Sequence, residues 1–399
     1  KQNEPIYCFF IRRWVKLLIL LYNFGFQLFM NIGYDAKRYF HNRSGLGNYS
    51  RDLVRILSTH YPENNYLLYT PKKIDFEPTD NVRARFPTDT LRNRIFPSFW
   101  RSRTIVNDLK KDGVQIFHGL SGEIPFQLRQ AGIASVVTIH DLIFLRHPEL
   151  YKAIDRSIYT RKFRYAVQEA NRIVAISQQT KRDIVHFFGI PETHIEVIYQ
   201  GCHPSFKTFK STDELQRVRD KYRLPNTFVL NVGSIEPRKN AFQVVKAIEQ
   251  LDIPLVIVGK QTRYAEEIRK YLVEKRMQHR VLFPTVESMD DLSAIYKLAS
   301  VFVYPSTYEG FGIPIIEALY AGTPVITSNS GVFPEAAGPF SYFIDPTNVE
   351  EIAHAIQSVL TSTSMQDEMI HQGIAFAQQF NDEALAAKWM DCYKQLQRG

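Results

Sequence analysis

The sequence predicts an α/β protein made of two doubly wound, Rossmann-like parallel-sheet domains that face each other across a cleft. From residue 30 onward, short apolar segments of strand length alternate with segments in which apolar residues recur at helical spacing. This alternation occurs in two arrays, separated by a polar stretch at residues 207–223. Short strands that alternate with helices favour a parallel sheet covered on both faces, and 399 residues are enough for two such domains.

The first array spans residues 30–206 and forms the predicted N-terminal domain. Its apolar spacing predicts helices at residues 45–61, 151–169 and 178–188. The stretch at residues 71–100 is rich in Pro, Arg, Asp and Thr, which predicts a long irregular segment. The strand candidates are MNIGYDA, NYLLYT, VQIFHG, ASVVTIHDL, NRIVAIS and IEVIYQG.

The second array spans residues 224–381 and forms the predicted C-terminal domain, with residues 207–223 as the linker. A last helix is predicted within residues 382–399 and is expected to pack back on the N-terminal domain. Ligands of doubly wound sheets bind outside the carboxyl ends of the strands, so the site is expected in the cleft between the domains. The strand candidates are NTFVLNVGS, PLVIVGK, RVLFPT, VFVYPS and TPVITSN, and the helix candidates are residues 241–251, 264–277, 289–299 and 314–321.

The first 29 residues differ from the rest of the chain. Arg12, Arg13 and Lys16 precede an uncharged apolar run at residues 17–30, which is shorter than the ~20 residues that a membrane-spanning helix needs. Two interpretations stay open. The segment is either an interfacial amphipathic anchor or a non-native extension ahead of a start at Met30.

Charge and cysteine content exclude several classes of partner. The formal net charge of +8 is modest for this length, and it fits an anionic substrate or a membrane surface. The chain carries no nucleic-acid-binding motif, so no nucleic-acid partner is expected. Cys8, Cys202 and Cys392 are odd in number and form no C-x-x-C pair, which predicts reduced thiols, a cytoplasmic protein and no zinc site.

Two glutamates flank a Gly-Phe-Gly turn in YPSTYEGFGIPIIEALYAGTPVIT, residues 304–327. Unpaired carboxylates are unfavourable in an apolar core. Glu309, in the loop, and Glu317, in the following helix, are therefore expected to lie over a ligand pocket. The glycines Gly310 and Gly312 permit a tight backbone turn. Carboxylates accept hydrogen bonds from sugar hydroxyls, so the two acids can address two parts of one ligand.

The helix after this turn is expected to start near Pro314, a favoured position for proline. The free backbone N–H groups around Ile315 and Ile316 would then face the cleft and bind anionic or hydroxyl oxygens. A second loop, NVGSIEPRKN, carries Arg238 and Lys239 between a strand end and a helix start. Both cations are therefore expected at the same cleft edge as the two acids.

Three patterns in the N-terminal array add candidates. Gly45 and Gly47, in FHNRSGLGNYS, open a helix after the first strand, where the backbone can approach a phosphate or an acceptor. His140 ends an apolar strand in TIHDLIF, and Asp141 beside it could orient the imidazole. Ser177, which closes RIVAIS, is a further candidate for the cleft.

The segment at residues 304–327 resembles the E-x7-E signature of glycosyltransferase family 4, which has the GT-B fold. The resemblance extends over the chain from Met30 onward. It implies that Glu309 approaches the transferred sugar and that Glu317 binds the ribose of the nucleotide. FHNRSGLGNYS resembles the glycine-rich loop of the family but lacks the usual adjacent Gly-Gly, so the glycine that makes the contact stays open.

The resemblance also implies roles for the remaining candidates. Arg238 and Lys239 would bind the diphosphate and stabilise its negative charge as the bond to the sugar breaks. His140 would lie against the sugar. The predicted catalytic residues are therefore His140, Glu309, Arg238 and Lys239. The predicted donor-binding residues are Gly45, Gly47, Gly233, Arg238, Lys239, Glu309, Gly310, Phe311, Gly312, Ile315, Ile316 and Glu317.

The activity implied is that of a retaining hexosyltransferase that uses a nucleotide-diphosphate sugar and no cofactor. The segment GYDAKRYFHNRSGLGNYSRDL resembles bacterial mannosyltransferases of surface-polysaccharide synthesis, which favours GDP-mannose over a UDP-sugar. The expected acceptor is a growing, lipid-linked glycan, reached by a cytoplasmic protein bound peripherally to the inner face of the membrane. The chain has no D-x-D motif, which predicts no metal site and leaves the diphosphate charge to Arg238, Lys239 and helix dipoles.

Two alternatives from other classes stay open. A GT-B sugar-nucleotide epimerase or a phosphorylase shares the fold without transfer to a glycan, although the sequence shows no signature of a pyridoxal lysine or a free-phosphate pocket. A non-catalytic glycan- or nucleotide-binding module would keep the acids and have no turnover.

Overall fold

The computed structural model describes residues 29–42, 45–88 and 96–398. Cys8 and the expected anchor at residues 1–29, apart from Phe29, lie outside the described residues, and the two interpretations of that segment stay open. Within the described residues, no helix is both long enough and apolar enough to cross a membrane.

The N-terminal sheet contains seven strands within the described residues. They are β1 (Asn31–Asp35), β2 (Asn65–Tyr69), β3 (Val82–Arg85), β4 (Ile116–Gly119), β5 (Ala134–Ile139), β6 (Arg172–Ala175) and β7 (Ile195–Val197). Their order is β3-β2-β1-β4-β5-β6-β7, with every pairing parallel. The order steps outward from β1 and β4, which is the doubly wound arrangement with its ligand-binding crevice at that switch point.

Helices cover both faces of this sheet, because each face carries its own cluster of buried apolar side chains. α2 buries Leu53, Ile56 and Leu57 along one face, at the spacing that the sequence predicts. The helices of this region are α1 (Lys37–His41), α2 (Gly45–His60), α3 (Pro97–Phe99), α4 (Ile105–Lys111), α5 (Ile143–Arg146), α6 (Ala153–Glu169) and α7 (Gln178–Phe188).

The prediction that residues 71–100 form one irregular segment is wrong in part. β3 lies within this range and pairs with β2 at the edge of the sheet. Val82 is the one buried side chain of β3, because an edge strand packs against few neighbours. The sequence VRAR therefore lacks the apolar signal of a central parallel strand.

The C-terminal sheet contains six strands within the described residues. They are β8 (Val229–Val232), β9 (Leu255–Val258), β10 (Val281–Leu282), β11 (Val301–Tyr304), β12 (Val325–Ser328) and β13 (Tyr342–Ile344). Their order is β10-β9-β8-β11-β12-β13, again parallel throughout. The predicted fold class, two doubly wound parallel-sheet domains, is therefore confirmed.

Helices also cover both faces of the second sheet. They are α8 (Thr212–Tyr222), α9 (Ala241–Glu249), α10 (Arg263–Glu274), α11 (Met289–Leu298), α12 (Ile313–Ala321), α13 (Phe333–Ala337), α14 (Val349–Thr361), α15 (Thr363–Ala377) and α16 (Asp382–Arg398). The polar stretch at residues 207–223 contains α8, which begins with a capping box of Ser211 and Glu214. Val218 of α8 is buried in the core of the C-terminal domain.

The last helix, α16, returns to the N-terminal domain. Trp389 and Tyr393 are buried in the same apolar cluster as β1 and β4. The Tyr393 hydroxyl lies 2.7 Å from Nδ1 of His118 and 3.3 Å from the hydroxyl of Tyr34. The chain therefore passes between the domains twice, and an ion pair between Lys207 and Asp382 holds the two crossings side by side.

Candidate active site

The carboxylate of Glu309 is the centre of a cation cluster at the carboxyl end of β11. Its Oε1 atom accepts from Lys239 Nζ at 2.5 Å, Ser306 Oγ at 2.6 Å, Arg238 Nη1 at 2.8 Å and Tyr304 Oη at 3.1 Å. The structure thus brings together three predicted site residues that lie about 70 positions apart in the sequence.

Short loops at adjacent strand ends hold this cluster in place. β8 ends at Val232, and a 3₁₀ turn at Pro237–Lys239 then presents both cations. Asn240 closes the turn with a left-handed backbone, φ 61°, and its amide donates to the carbonyls of Pro305 and Pro346. An asparagine tolerates this conformation. Its hydrogen bond to Pro305 fixes the turn against the loop that follows β11, residues 305–312, here called the β11 loop.

Charge keeps Glu309 ionised despite its burial. Burial raises the pKa of this carboxyl, but the positive charges of Lys239 and Arg238 and the hydrogen bonds outweigh burial, so the pKa is lowered from its ordinary 4.5. Burial, with the charge of Glu309, raises the pKa of Tyr304 well above 10, so its hydroxyl stays a neutral donor. The Glu309 carboxylate therefore neutralises part of the positive charge of Arg238 and Lys239. An anionic ligand could bind the same two cations.

A cavity of about 430 Å³ opens beside this cluster. Both domains contribute to its walls, as the fold predicts for a cleft site. The lining residues are Asp141, Ile143, Leu150 and Tyr151 from the N-terminal domain, with Glu236, Pro237, Arg238, Tyr308, Glu309 and Gly310 from the C-terminal domain.

Glu317 faces a different cavity. It lies in α12 and lines a space of about 350 Å³ together with Gly45, Tyr199 and Gln200. Its Oε2 atom accepts from the Tyr296 hydroxyl at 3.0 Å. Burial raises the pKa of Glu317 to about 7, although this hydrogen bond opposes the rise. Glu317 thus lines this cavity and Glu309 the one described above, and burial places the pKa of Glu317 at about 7.

The prediction that the backbone N–H of Ile315 is free to bind a ligand is wrong. Its N–H donates to the carbonyl of Gly312 at 2.9 Å, because α12 begins at Ile313 and Gly312 caps it. The side chains of Ile315 and Ile316 are fully buried in the core. These two residues hold α12 in the domain and leave no donor at Ile315 for a ligand.

The loop at Gly310 contacts the N-terminal domain directly. A Cβ atom on Gly310 would lie 2.3 Å from the carbonyl oxygen of His140, so glycine is required by the close approach. The hydroxyl of Ser177 donates to the Gly310 carbonyl at 2.8 Å. Phe311 is buried and its ring stacks on Tyr199 with centroids 5.4 Å apart. The Gly-Phe-Gly turn therefore joins the domains as well as shaping the site.

His140 is held as a neutral imidazole behind this loop. Burial lowers its pKa to about 4, so Nε2–H donates to the Leu120 carbonyl at 2.9 Å. Nδ1 accepts from the Gln200 amide at 3.4 Å, and Tyr49 packs edge-on against the ring. The expectation that Asp141 orients the imidazole is wrong. Its Oδ1 accepts instead from the N–H of Ile143, the first residue of the short helix α5, at 3.1 Å.

The predicted glycines differ in their surroundings. A Cβ atom on Gly45 would meet open space, whereas a Cβ on Gly47 would lie 1.8 Å from the carbonyl oxygen of Asn42. Gly47 is thus required by packing, and Gly45 is the glycine exposed to the Glu317 cavity. Gly233 lies beside the Lys239 side chain, whose Cδ would be 3.6 Å from an added Cβ.

Sequence reasoning missed the hydroxyl donors of the site. Tyr304 and Ser306 lie in the segment at residues 304–327, and their place at a strand end next to Glu309 is the signal that could have identified them. Tyr296 has no such signal, because it reaches Glu317 from a neighbouring helix. Among the described residues, no group of three or more His, Cys, Asp or Glu side chains is arranged to hold a metal ion.

Two parallel-sheet domains that face a cleft, with a carboxylate–cation cluster in that cleft, place this chain in the class of GT-B glycosyltransferases. Residues 44–206 match the family model described as Glycosyltransferase Family 4, and residues 214–376 match the model described as Glycosyl transferases group 1. The chain is 31% identical to O-antigen chain mannosyltransferase B of Escherichia coli over 70% of this chain and 74% of that protein. The chain belongs to glycosyltransferase family 4 and is a hexosyltransferase.

Another mannosyltransferase is similar to this chain in sequence, and two solved structures are similar to it in fold alone. The chain is 30% identical to the serotype-specific mannosyltransferase WbdA of Escherichia coli over 63% of this chain, a match that spans about a third, 32%, of WbdA. Sucrose-phosphate synthase from Thermosynechococcus elongatus has a similar structure, with a TM-score of 0.74, 23% identity and coverage of 92% of this chain and 99% of that one. Anabaena HepE in complex with UDP also has a similar structure, with a TM-score of 0.72, 16% identity and coverage of 92% of this chain and 100% of that one.

Proposed function

We propose that the chain transfers a hexose, with mannose favoured, from a nucleotide-diphosphate sugar to a growing glycan of a surface polysaccharide. The observation that carries this proposal is the convergence of Arg238 and Lys239 on Glu309 beside the interdomain cavity. The names of the E. coli relatives, which are O-antigen and serotype-specific mannosyltransferases, support mannose and a polysaccharide. GDP-mannose is the proposed donor, and a UDP-sugar is the second candidate.

The diphosphate of the donor would take over the contacts that Arg238 and Lys239 now make with Glu309. Fixed cations stabilise the leaving diphosphate more strongly as it gains negative charge, so they lower the barrier to transfer. Glu309, released from these cations, becomes an acceptor for hydroxyls of the transferred sugar. Both ring nitrogens of His140 have partners within the protein, so this neutral imidazole would help to position the loop at Gly310.

We propose retention of configuration through a reaction on one face of the sugar. The leaving phosphate then helps to deprotonate the acceptor hydroxyl, and Arg238 and Lys239 hold that phosphate in position. Product analysis by proton NMR tests this proposal. An α-linked product from an α-linked donor is expected, and a β-linked product would contradict it.

The donor is identified by a thermal-shift screen against GDP-mannose, UDP-glucose and ADP-glucose. A donor at about 100 times its Kd adds roughly 2.7 kcal/mol of stability. GDP-mannose is expected to give the largest increase in Tm. A larger increase with UDP-glucose would replace mannose with the second candidate.

Turnover separates transfer from the other functions that stay open. Release of nucleoside diphosphate that depends on a glycan acceptor is expected. Binding without release would indicate a non-catalytic module, and a changed sugar nucleotide without an acceptor would indicate an epimerase. Glycan breakdown that requires inorganic phosphate would indicate a phosphorylase.

We propose that transfer is independent of a metal ion, because Arg238 and Lys239 are placed to bear the diphosphate charge. Activity should survive treatment with EDTA. Complete loss that Mn²⁺ or Mg²⁺ restores would contradict this part of the proposal.

The proposed place of action is the cytoplasmic face of the membrane, where a lipid-linked acceptor would lie. Residues 1–29 would then act as an interfacial anchor. Membrane fractionation of the full chain and of a form starting at Met30 tests this. Release of the full chain by high salt is expected, and a requirement for detergent would contradict peripheral binding.

A further inference from the structure

The outward side of α6 is unusually apolar for a solvent-exposed helix surface. Ile154 is 72% exposed and Ile158 is 48% exposed. The two side chains lie one helical turn apart and therefore share one face. Within α6, the fully buried residues are Ala166 and Val167, near its C-terminal end. The first three turns thus present to solvent two isoleucines that do not pack inside the domain.

Exposed cations follow these two isoleucines along α6. Arg161, Lys162 and Arg164 follow in the next turns and are exposed. Lys162 pairs with Glu123 at 3.2 Å, but no carboxylate among the described residues lies within ion-pair distance of Arg161. The acids of α6 itself, Asp155 and Glu169, are partly buried. The exposed face is therefore both apolar and positively charged.

This face lies next to the mouth of the candidate active site. Leu150 and Tyr151 line the cavity that contains Glu309 and lie within three residues of the start of α6. Leu150 is itself 52% exposed. A surface that contacts α6 would therefore lie beside the entrance to the cavity.

We propose that the outward face of α6 docks on an anionic lipid bilayer, with Ile154 and Ile158 inserted among the headgroups. Arg161 and Arg164 would lie against lipid phosphates. Basic residues around exposed isoleucines fit an interfacial helix, since apolar burial and attraction to anionic lipid act together. A second copy of the chain fits poorly, because a two-fold contact would place these cations opposite one another.

The biological role of this docking rests on the proposed function, since docking would bring the cavity to a lipid-linked acceptor. The binding itself needs no substrate. It is therefore measured on vesicles alone, separately from donor binding and transfer.

The test is flotation of the full chain with vesicles of phosphatidylcholine alone or with about 30% phosphatidylglycerol. The wild type should partition more strongly to the anionic vesicles, and added salt should weaken this binding. Ile154→Ser/Ile158→Ser and Arg161→Glu/Arg164→Glu should each lower the partition coefficient by roughly tenfold.

Matched controls come from α10 in the other domain. Val273 is an exposed apolar residue and Lys270 an exposed cation. Val273→Ser and Lys270→Glu should bind anionic vesicles like the wild type. Far-UV circular dichroism and the Tm of thermal unfolding without ligand verify that every variant is folded.

A second measurement separates α6 from residues 1–29. Hydrogen exchange of peptides covering residues 150–165 should slow when anionic vesicles are added to the full chain. Unchanged exchange there, or equal vesicle binding by the isoleucine variant and the wild type, overturns the proposal even if residues 1–29 bind lipid. If the proposed function fails, donor binding and transfer are absent while the α6 effects on vesicle binding remain.

Discussion

At the residue scale, the site depends on two cations that share one carboxylate. Lys239 donates to Glu309 and also to the hydroxyl of Tyr304 at 2.8 Å. It is therefore held in one position before any ligand arrives. A fixed cation stabilises developing charge without the cost of reorientation at the moment of reaction.

Lys239→Ala should accordingly lower kcat by about 10²–10³, the usual effect of removing one transition-state donor. Steady-state release of nucleoside diphosphate measures this change. Lys270→Ala removes an exposed cation on α10 and serves as the matched control, with turnover like the wild type. Near-normal turnover of Lys239→Ala would show that the cluster does not bear the diphosphate charge.

Glu317 makes stability depend on pH. Burial raises its pKa to about 7 in the folded protein, against an ordinary value of 4.5. Between those values the folded state keeps a proton that the unfolded chain has lost. Stability therefore falls as pH rises through this window, by about 1.4 kcal/mol for each pH unit, and then levels off.

Glu317→Gln cannot ionise, so its free energy of unfolding relative to the wild type should rise from pH 5 to pH 7 and stay constant above that. Urea unfolding at pH 5, 6, 7 and 8 measures this difference. Glu274→Gln, an exposed acid on α10, is the control and should show no trend. A constant difference for Glu317→Gln at all four pH values would exclude titration of this group near neutrality.

At the scale of elements, the β11 loop connects the two domains. The Tyr308 hydroxyl donates to Oδ2 of Asp183 at 2.7 Å, from the C-terminal domain to α7 of the N-terminal domain. Asp183 is fully buried and is also held by Arg146 and Gln179. The hydrogen bond to a charged acceptor thus favours the present arrangement, in which the β11 loop contacts α7 and which we term closed, over an open one without this contact.

Tyr308→Phe should lower the ratio of closed to open forms by roughly tenfold, because a hydrogen bond to a charged group contributes about 1.5 kcal/mol or more. Small-angle X-ray scattering should show a larger radius of gyration, and the apparent donor affinity should fall. Tyr320→Phe is the matched control, since the Tyr320 hydroxyl has no hydrogen-bond partner among the described residues. An unchanged radius and affinity for Tyr308→Phe would contradict a closing role.

The sequence predicted most strands, because central parallel strands are continuous apolar runs, but it did not predict the helices α4, α8, α14 and α15. It missed β3, with its polar VRAR, and β13, a short edge strand in which Ile344 alone is fully buried. It placed Arg238 and Lys239 at the right sheet edge, because carboxyl ends of parallel strands share an edge. It could not foresee their pairing with Glu309, which depends on loop geometry, nor the bond that occupies the N–H of Ile315.

At the scale of the whole molecule, α16 completes the core of the domain that the chain left some 180 residues earlier. Trp389 is fully buried and its ring lies 4.8 Å from that of His118 on β4. Trp389→Ala should lower the free energy of unfolding of the N-terminal domain by about 3–5 kcal/mol, the usual result of emptying a large core site.

Urea unfolding followed by tyrosine and tryptophan fluorescence measures this change, with donor-binding affinity as a readout of the C-terminal domain. Asp391→Ala alters an exposed residue of the same helix and should leave stability within about 0.5 kcal/mol of the wild type. If Trp389→Ala is as stable as Asp391→Ala, α16 is not part of the N-terminal core.

The double crossing at Lys207 and Asp382 also determines how this enzyme can be recombined with its relatives. The N-terminal domain is discontinuous in sequence, and the C-terminal domain is an insertion within it. A chimera with a single junction would pair one parent's sheet with the other parent's last helix and mismatch the contacts of Trp389 and Tyr393. Exchange of donor specificity therefore calls for two junctions, near residues 207 and 382, with the terminal helix kept from the parent that supplies the N-terminal sheet.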